Sequence, residues 1–310
     1  MRALIIGATG LLGHALFRHL SGRRGWQVCA TTYDIAVPGF EPLDVLEAGA
    51  VERVLDRFEP EAVIFPAANP FVDYCQKHPE ETRRLNVAGT LACARMTFQR
   101  GARFVFFSTD YVFDGTKREG YREEDEPHPL NEYGRQKLEV ERALSFEAGR
   151  ALVVRTSALF GWELQPKNFV LQVLARLKEG QRVQAPLDLD YNPTYVPSLA
   201  EAIALLLEED ARGLYHVAGS ERLSRAELAR KAAAAFGLDA SLVEAVPAAA
   251  LSKPGATPRP LHTSLLCEKA RRLLGFKLPG AGEGLEAMKS SASEWEEYAG
   301  RLLAAGGGKP

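Results

Sequence analysis

Short apolar runs alternate with amphipathic stretches through the first half of the chain. Ala3-Leu4-Ile5-Ile6 is followed by glycines and then by a helical pattern of apolar positions that reaches Leu20. Trp26 to Thr31 reads as a second strand, and Val51 to Phe58 as a helix. Ala62-Val63-Ile64-Phe65 is apolar at every position, the pattern of a buried strand. A helix is expected over about Pro79 to Arg100 and a strand at Phe104-Val105-Phe106-Phe107. A further helix begins near Asn131, and Leu152-Val153-Val154-Arg155 is another strand. Strands and helices that alternate in this order predict a parallel sheet with helices on both faces.

The texture changes after Gly161. Helices are expected at 167–179, 198–209, 224–236 and 284–303, with proline-rich loops between them. The chain therefore divides into an α/β domain, a doubly wound parallel sheet over residues 1–160, and a smaller, lid-like C-terminal region over 161–303. A later segment near 193–218 is placed to rejoin the sheet. Residues 304–310, with three consecutive glycines from Gly306, read as a flexible tail.

Composition narrows the function more than the fold. The chain has 310 residues, a formal net charge of -2 and 46% hydrophobic residues. Near-neutral charge offers no electrostatic case for nucleic acid or an anionic membrane. The apolar runs are too short or too interrupted to span a bilayer. Cys29, Cys75, Cys93 and Cys267 are scattered, with no Cys-x-x-Cys pair, which points to a reducing, cytoplasmic setting and to no metal site.

Candidate chemistry lies where apolar strands end. Gly7-Ala8-Thr9-Gly10-Leu11-Leu12-Gly13 joins the first strand to the first helix. Strand, glycine turn and helix are the context in which a pyrophosphate is held by backbone amides at a helix N-terminus. The residue that meets the adenosine ribose normally follows the second strand. Thr32 is read at that position, with Asp34 two places later. A hydroxyl there tolerates a 2'-phosphate, so NADP(H) is expected, with NAD(H) left open. Pro66-Ala67-Ala68-Asn69 follows the Ala62 strand, and Ser108-Thr109-Asp110 follows the Phe104 strand, again where doubly wound sheets bind ligands. Tyr133 and Lys137 stand four apart on a helix and so share a face. An ammonium beside a phenol favours the phenolate, which would suit Tyr133 to proton exchange with an alcohol or ketone.

Taken in order, these stretches resemble the extended short-chain dehydrogenase/reductase superfamily, and more narrowly the dTDP-4-dehydrorhamnose reductase family. The marks are Gly7-x-x-Gly10-x-x-Gly13, Ser108-Thr109-Asp110-Tyr111-Val112-Phe113-Asp114-Gly115, and Pro129-Leu130-Asn131 before Tyr133-Gly134 and Lys137. Arg155-Thr156-Ser157 with Gly161, Asn168-Phe169, Asn192-Pro193-Thr194, and Arg259-Pro260 with Ser264 and Leu265 extend the likeness over about residues 3–277. The resemblance implies a Rossmann-type NAD(P)-binding domain and a C-terminal substrate-binding region. It implies reduction of the C4 ketone of a nucleotide-linked deoxysugar, as in dTDP-rhamnose biosynthesis, with room for a homodimer.

By the same resemblance, Tyr133 is the proton donor, and Lys137 lowers its pKa and holds the nicotinamide ribose. Thr109 hydrogen-bonds the reacting oxygen. The cofactor would meet Gly7, Thr9, Gly10, Leu11 and Leu12 at the pyrophosphate and Thr32 at the ribose. Asp44 and Val45 would flank the adenine, and Ala67, Ala68 and Asn69 the nicotinamide side. Thr109, Asp110, Ala158 and Asn168 would face the substrate, and Ala158 stands where the family often carries an aromatic residue. Two alternatives share the scaffold. One is a nucleotide-sugar epimerase or dehydratase, although dehydratases carry an Asp-Glu pair where this chain has Asp110-Tyr111. The other is a non-catalytic, NADP-binding regulatory subunit similar to the beta subunit of methionine adenosyltransferase.

Overall fold

A computed structural model describes residues 1–147 and 149–305. The first half alternates as its hydrophobic pattern dictates: β1 (Arg2–Ile6), α1 (Leu11–Ser21), β2 (Gln27–Thr32), β3 (Glu41–Pro42), α2 (Ala48–Phe58) and β4 (Ala62–Phe65). α3 (Val72–Lys77) precedes a helix that the sequence reads as one piece. It runs through α4 (Pro79–Arg83), a π-helical turn (Arg84–Gly89) and α5 (Thr90–Gln99). β5 (Arg103–Thr109), a 3₁₀ turn (Asp110–Val112), α6 (Glu132–Ser145) and β6 (Ala151–Thr156) complete this half.

Smaller elements fill the rest. They are β7 (Leu159–Phe160), α7 (Phe169–Lys178), β8 (Val183–Pro186), β9 (Asp190–Tyr191), β10 (Thr194–Tyr195), α8 (Val196–Glu208) and β11 (Gly213–His216). β12 (Leu223–Ser224), α9 (Arg225–Ala235), β13 (Val243–Val246), α10 (Ala248–Leu251), α11 (Glu268–Leu274), α12 (Ala281–Ser290) and α13 (Ala292–Ala305) follow. The helix expected over 284–303 is two helices. At the break, the Met288 carbonyl accepts from the Trp162 indole (2.8 Å) and the Ser291 hydroxyl (3.0 Å). Of the expected flexible tail, Ala304 and Ala305 belong to α13, and 306–310 lie outside the described residues.

Seven strands form one parallel sheet in the order β11-β6-β5-β4-β1-β2-β3. Period-two alternation sorts each strand onto two cores. Ala3, Ile5, Ile64, Val105, Phe107 and Val154 face α1 and α8. Leu4, Ile6, Val63, Phe65, Phe106 and Val153 face α2, α5 and α6. A third core joins Phe160, α7, α9 and α12. Both faces of the sheet are therefore covered, and in sheets of this kind ligands bind at the C-terminal strand ends.

One polar cluster interrupts the sheet core. The Arg155 guanidinium reaches Glu141 of α6 at 2.6 Å, both side chains being buried. His216 of β11 sits beside them, its Nε2 at 3.3 Å from Arg155 Nη1 and its Nδ1 at 3.2 Å from the Tyr121 carbonyl. Burial, with Arg155 adjacent, pulls the His216 pKa down to about 3, so the ring is neutral and accepts from the arginine. An arginine in an apolar strand is thus satisfied on both sides.

α6 touches the sheet's C-terminal edge through Gly134. A Cβ added there would lie 2.2 Å from the Tyr111 carbonyl oxygen and 2.9 Å from Pro129. Gly134→Ala should therefore cost about 1–3 kcal/mol and lower the urea midpoint. Gly49→Ala is the control: its Cβ would meet only the Arg53 side chain at 3.5 Å, so stability should hold or rise slightly. Equal midpoints for the two variants would contradict this packing.

Candidate active site

β1 and α1 meet at the glycine turn. Gly7 has φ 93°, and a Cβ there would lie 2.9 Å from that of Ala67. At Gly13 a Cβ would come within 2.1 Å of the Gly7 carbonyl oxygen, so α1 presses its backbone onto the strand end. Gly10 is exposed, a Cβ there would meet only the Gly7 carbonyl oxygen at 3.7 Å, and it caps α1 without a side-chain hydrogen bond. The first amides of an 11-residue helix are left at the mouth of the sheet, with the positive end of its dipole. Leu12 is buried under the turn, and Leu11 is half-buried towards Gly161. The Thr9 hydroxyl lies 3.4 Å from Asp34 Oδ1.

The other expected cofactor residues divide. Asp44 accepts from Leu46 N (2.8 Å) and shapes the turn before α2, while Val45 is buried towards Gly89. Ala67 N bonds the Ile6 carbonyl (3.1 Å), which brings Ala67 and Ala68 to the strand ends beside the glycine turn. Asn69 is clamped by Asn86: Asn69 N donates to Asn86 Oδ1 (2.8 Å), and Asn86 Nδ2 donates to the Asn69 carbonyl (3.1 Å). Asn86 Nδ2 also reaches Gln136 Oε1 at 2.8 Å, which ties the π-helical turn to α6. A buried asparagine inside an apolar helical run was the available signal for this clamp, and the reading of an unbroken helix passed over it. Thr32 needs correction as a ribose contact. It is 4% exposed, and its hydroxyl is turned inward onto the Ile35 carbonyl.

β5 and α6 bring the three expected catalytic residues together. The Thr109 hydroxyl accepts from Tyr111 N and donates to Asp110 Oδ1, both at 3.1 Å. Lys137 is 4% exposed and donates to the Phe107 carbonyl at 2.9 Å. Its Nζ stands 4.7 Å from the Phe106 ring and 5.9 Å from the Tyr133 ring. The expected effect of Lys137 on Tyr133 does not appear. Burial raises the Tyr133 pKa, Asp110 adds to the rise, and only the Thr109 hydroxyl among the main influences opposes it. Burial also pulls Lys137 down to about 8. Desolvation outweighs attraction because the amine and the phenol are neighbours without being hydrogen-bonded.

Of the residues expected to face the substrate, Asp110 is buried and held by Ser157 Oγ (2.8 Å) and Thr263 Oγ1 (2.6 Å), and burial raises its pKa. Ala158 adopts φ 43° directly after Ser157, and its carbonyl accepts from Thr194 N. Asn168 is a second correction. Its Oδ1 caps α7 at Leu171 N (3.2 Å), and its Nδ2 is taken by the Gly161 carbonyl and Glu163, both at 2.9 Å. The basic residue at this end of the cleft is one that sequence reading missed. Arg225, at the start of α9, lies 4.9 Å from the Phe169 ring and 5.6 Å from the Tyr191 ring, beside Tyr111. Its Nε is buried without a partner, and among the described residues it forms no ion pair. The Tyr111 ring in turn stands 6.4 Å from that of Tyr133. A lone arginine in the sequence gave no sign of this placement.

The family model described as the RmlD substrate binding domain matches residues 1–293. The chain is 34% identical over 287 residues to methionine adenosyltransferase 2 subunit beta of Xenopus tropicalis, covering 90% of this chain and 84% of that protein. It is 31% identical over 302 residues to the probable low-salt glycan biosynthesis reductase Agl14 of Haloferax volcanii, covering 95% of this chain and 99% of that one. Among solved structures, the dTDP-4-dehydrorhamnose reductase of Bacillus anthracis in complex with NADP superposes with TM-score 0.85 at 29% identity, covering 94% of this chain and 99% of that chain.

The buried amine gives a measurable pH dependence. Lys137 releases its proton near pH 8 when folded and near 10.5 when unfolded. From pH 8 to 10 the unfolded chain holds more of this proton, so the Lys137 contribution to stability rises with pH. Cys93 and Cys267 act oppositely, since burial pushes both thiols up to about 12. The readout is therefore wild type minus Lys137→Met. That difference should move in favour of wild type by about 2 kcal/mol between pH 8 and 10 in urea titrations. A constant difference would mean that the amine does not titrate there.

Proposed function

We propose that this chain, which belongs to the RmlD substrate binding domain family of extended short-chain dehydrogenase/reductases, is an NAD(P)H-dependent oxidoreductase that reduces the C4 ketone of a nucleotide-linked deoxysugar. The observation that carries the reading is one of placement. Thr109, Tyr133 and Lys137 converge at the C-terminal strand ends, on the same edge as the glycine turn. The residues present fit a dinucleotide. Gly10 leaves room for a phosphate against uncapped α1 amides, and Lys137 commits one ammonium hydrogen to Phe107, keeping the others for ribose hydroxyls.

When bound, the reduced dinucleotide supplies the hydride. The chain's own groups do the rest. Burial keeps the Tyr133 phenol protonated at neutral pH, which is the form that can give a proton to the developing alkoxide. Thr109 stands beside the phenol with its oxygen accepting from Tyr111 N and its one hydrogen on Asp110 Oδ1; to stabilise the reacting oxygen it turns that hydrogen from Asp110 to the oxygen. Asp110 is a positioning residue, itself fixed by Ser157 and Thr263. Arg225 meets the diphosphate of the substrate: a half-buried guanidinium between two rings, its Nε buried without a partner and paired with no acid among the described residues, is completed by an anion.

A second reading rests on the 34% identity to a methionine adenosyltransferase subunit. In that reading the cleft binds a dinucleotide and the chain acts through a partner, without turning over a sugar. Tight, stoichiometric co-purification with a synthetase would favour it.

Tyr133→Phe separates the two. For a reductase the rate on a nucleotide-linked 4-ketosugar should fall ~10²-fold or more, since a positioned acid contributes ~10²–10⁴. The melting temperature and dinucleotide Kd should change little. Arg225→Met should raise the KM of the same substrate at least tenfold, on the order of one buried charge-assisted contact, with a smaller change in kcat. Wild-type turnover by Tyr133→Phe would remove the catalytic assignment.

A further inference from the structure

The cleft also bears on which dinucleotide is used. We infer that Asp34 selects NADH over NADPH, by standing where the 2'-oxygen of the adenosine ribose must lie. The inference rests on the reading that the glycine turn holds a dinucleotide.

β2 runs parallel to β1, and its C-terminal end is bonded to the glycine turn. Ala8 N donates to the Thr31 carbonyl at 2.9 Å, and Gly7 N approaches Thr31 Oγ1 at 3.4 Å. A ribose attached to a phosphate over Gly10 therefore falls beside the residues that follow β2. Thr31 and Thr32 do not face it. Their side chains are buried, and their hydroxyls donate to the Ile5 and Ile35 carbonyls. The chain turns after Thr32, and the turn carries the Asp34 carboxylate back over the glycine loop, to 3.4 Å from the Thr9 hydroxyl. Asp34 is exposed, and among the described residues it pairs with no basic side chain and its second oxygen has no hydrogen-bond partner.

An acceptor-only carboxylate at this point suits a 2'-hydroxyl, which donates to it. It opposes a 2'-phosphate, which brings close to two negative charges and no proton at neutral pH. A site for the phosphate would need a free arginine or lysine instead. Arg57, which reaches the edge of β2 and β3, is taken by Glu41. Arg18 is turned towards Glu294, Trp295 and Tyr298. Neither clamps a phosphate beside Asp34.

The test is direct binding, with no sugar present. NADH and NADPH are titrated into the wild-type protein and into Asp34→Ser, and nicotinamide fluorescence is followed at two salt concentrations. Wild type should bind NADH at least tenfold tighter than NADPH. The gap should narrow in high salt, because both charges are solvent-accessible. Asp34→Ser should bring the two dissociation constants to within about threefold, chiefly by improving NADPH, a shift matching loss of one charge repulsion. Melting temperature should not move, since Asp34 is exposed. Equal or tighter binding of NADPH by wild type overturns the inference, as does an unchanged ratio in Asp34→Ser. Failure to bind either nucleotide removes the dinucleotide reading itself, and this inference with it.

Discussion

Two backbone contacts at the C-terminal edge of the sheet determine everything in the cleft. Gly13 lets α1 rest on the carbonyl of Gly7, and Gly134 lets α6 rest on the carbonyl of Tyr111. Neither contact has room for a methyl group. The first sets bare helix amides at one side of the edge, and the second sets Tyr133 and Lys137 at the other. The placement of the α1 N-terminus relative to Tyr133 is thus held by main chain packed on main chain. Side chains can be exchanged around such a frame without moving it, which is how one scaffold hosts several chemistries.

Within this frame, desolvation decides the protonation states. A phenol and an amine on one helix face suggest a phenolate stabilised by an ammonium, but burial acts on both groups. It raises the phenol and lowers the amine. The result is a protonated acid at neutral pH, which suits reduction. Asp110 follows the same rule: three hydroxyls bond it, and burial still pushes its pKa up. Arg225, like Lys137, has aromatic faces beside it and is paired with no acid among the described residues.

The fold was legible because it depends on periodicity. Strands such as Ala62–Phe65 are buried on both faces and show it as unbroken apolar runs, and the glycines declare where backbones touch. Residues whose role depends on a long-range partner were not legible. Asn168 and Thr32 match expected positions, yet their polar atoms are used up locally by a helix end and a turn. Asn86 and Arg225 carry no motif, and only the fold brings them to Asn69 and to the aromatic pair. Short strands such as β9 and β12 pair between Tyr191 and Leu223, with β10, α8 and β11 between them, and have too few positions to show an alternation.

The central claim is that this cleft passes a hydride to a sugar ketone. Isotope transfer tests it most directly. Reduced dinucleotide carrying deuterium at the reactive nicotinamide carbon is incubated with the protein and a panel of nucleotide-linked 4-ketosugars, and the products are examined by mass spectrometry. The account predicts that one of these sugars gains a single deuterium at C4, in step with cofactor oxidation. Tight cofactor binding with no label in any sugar would contradict it.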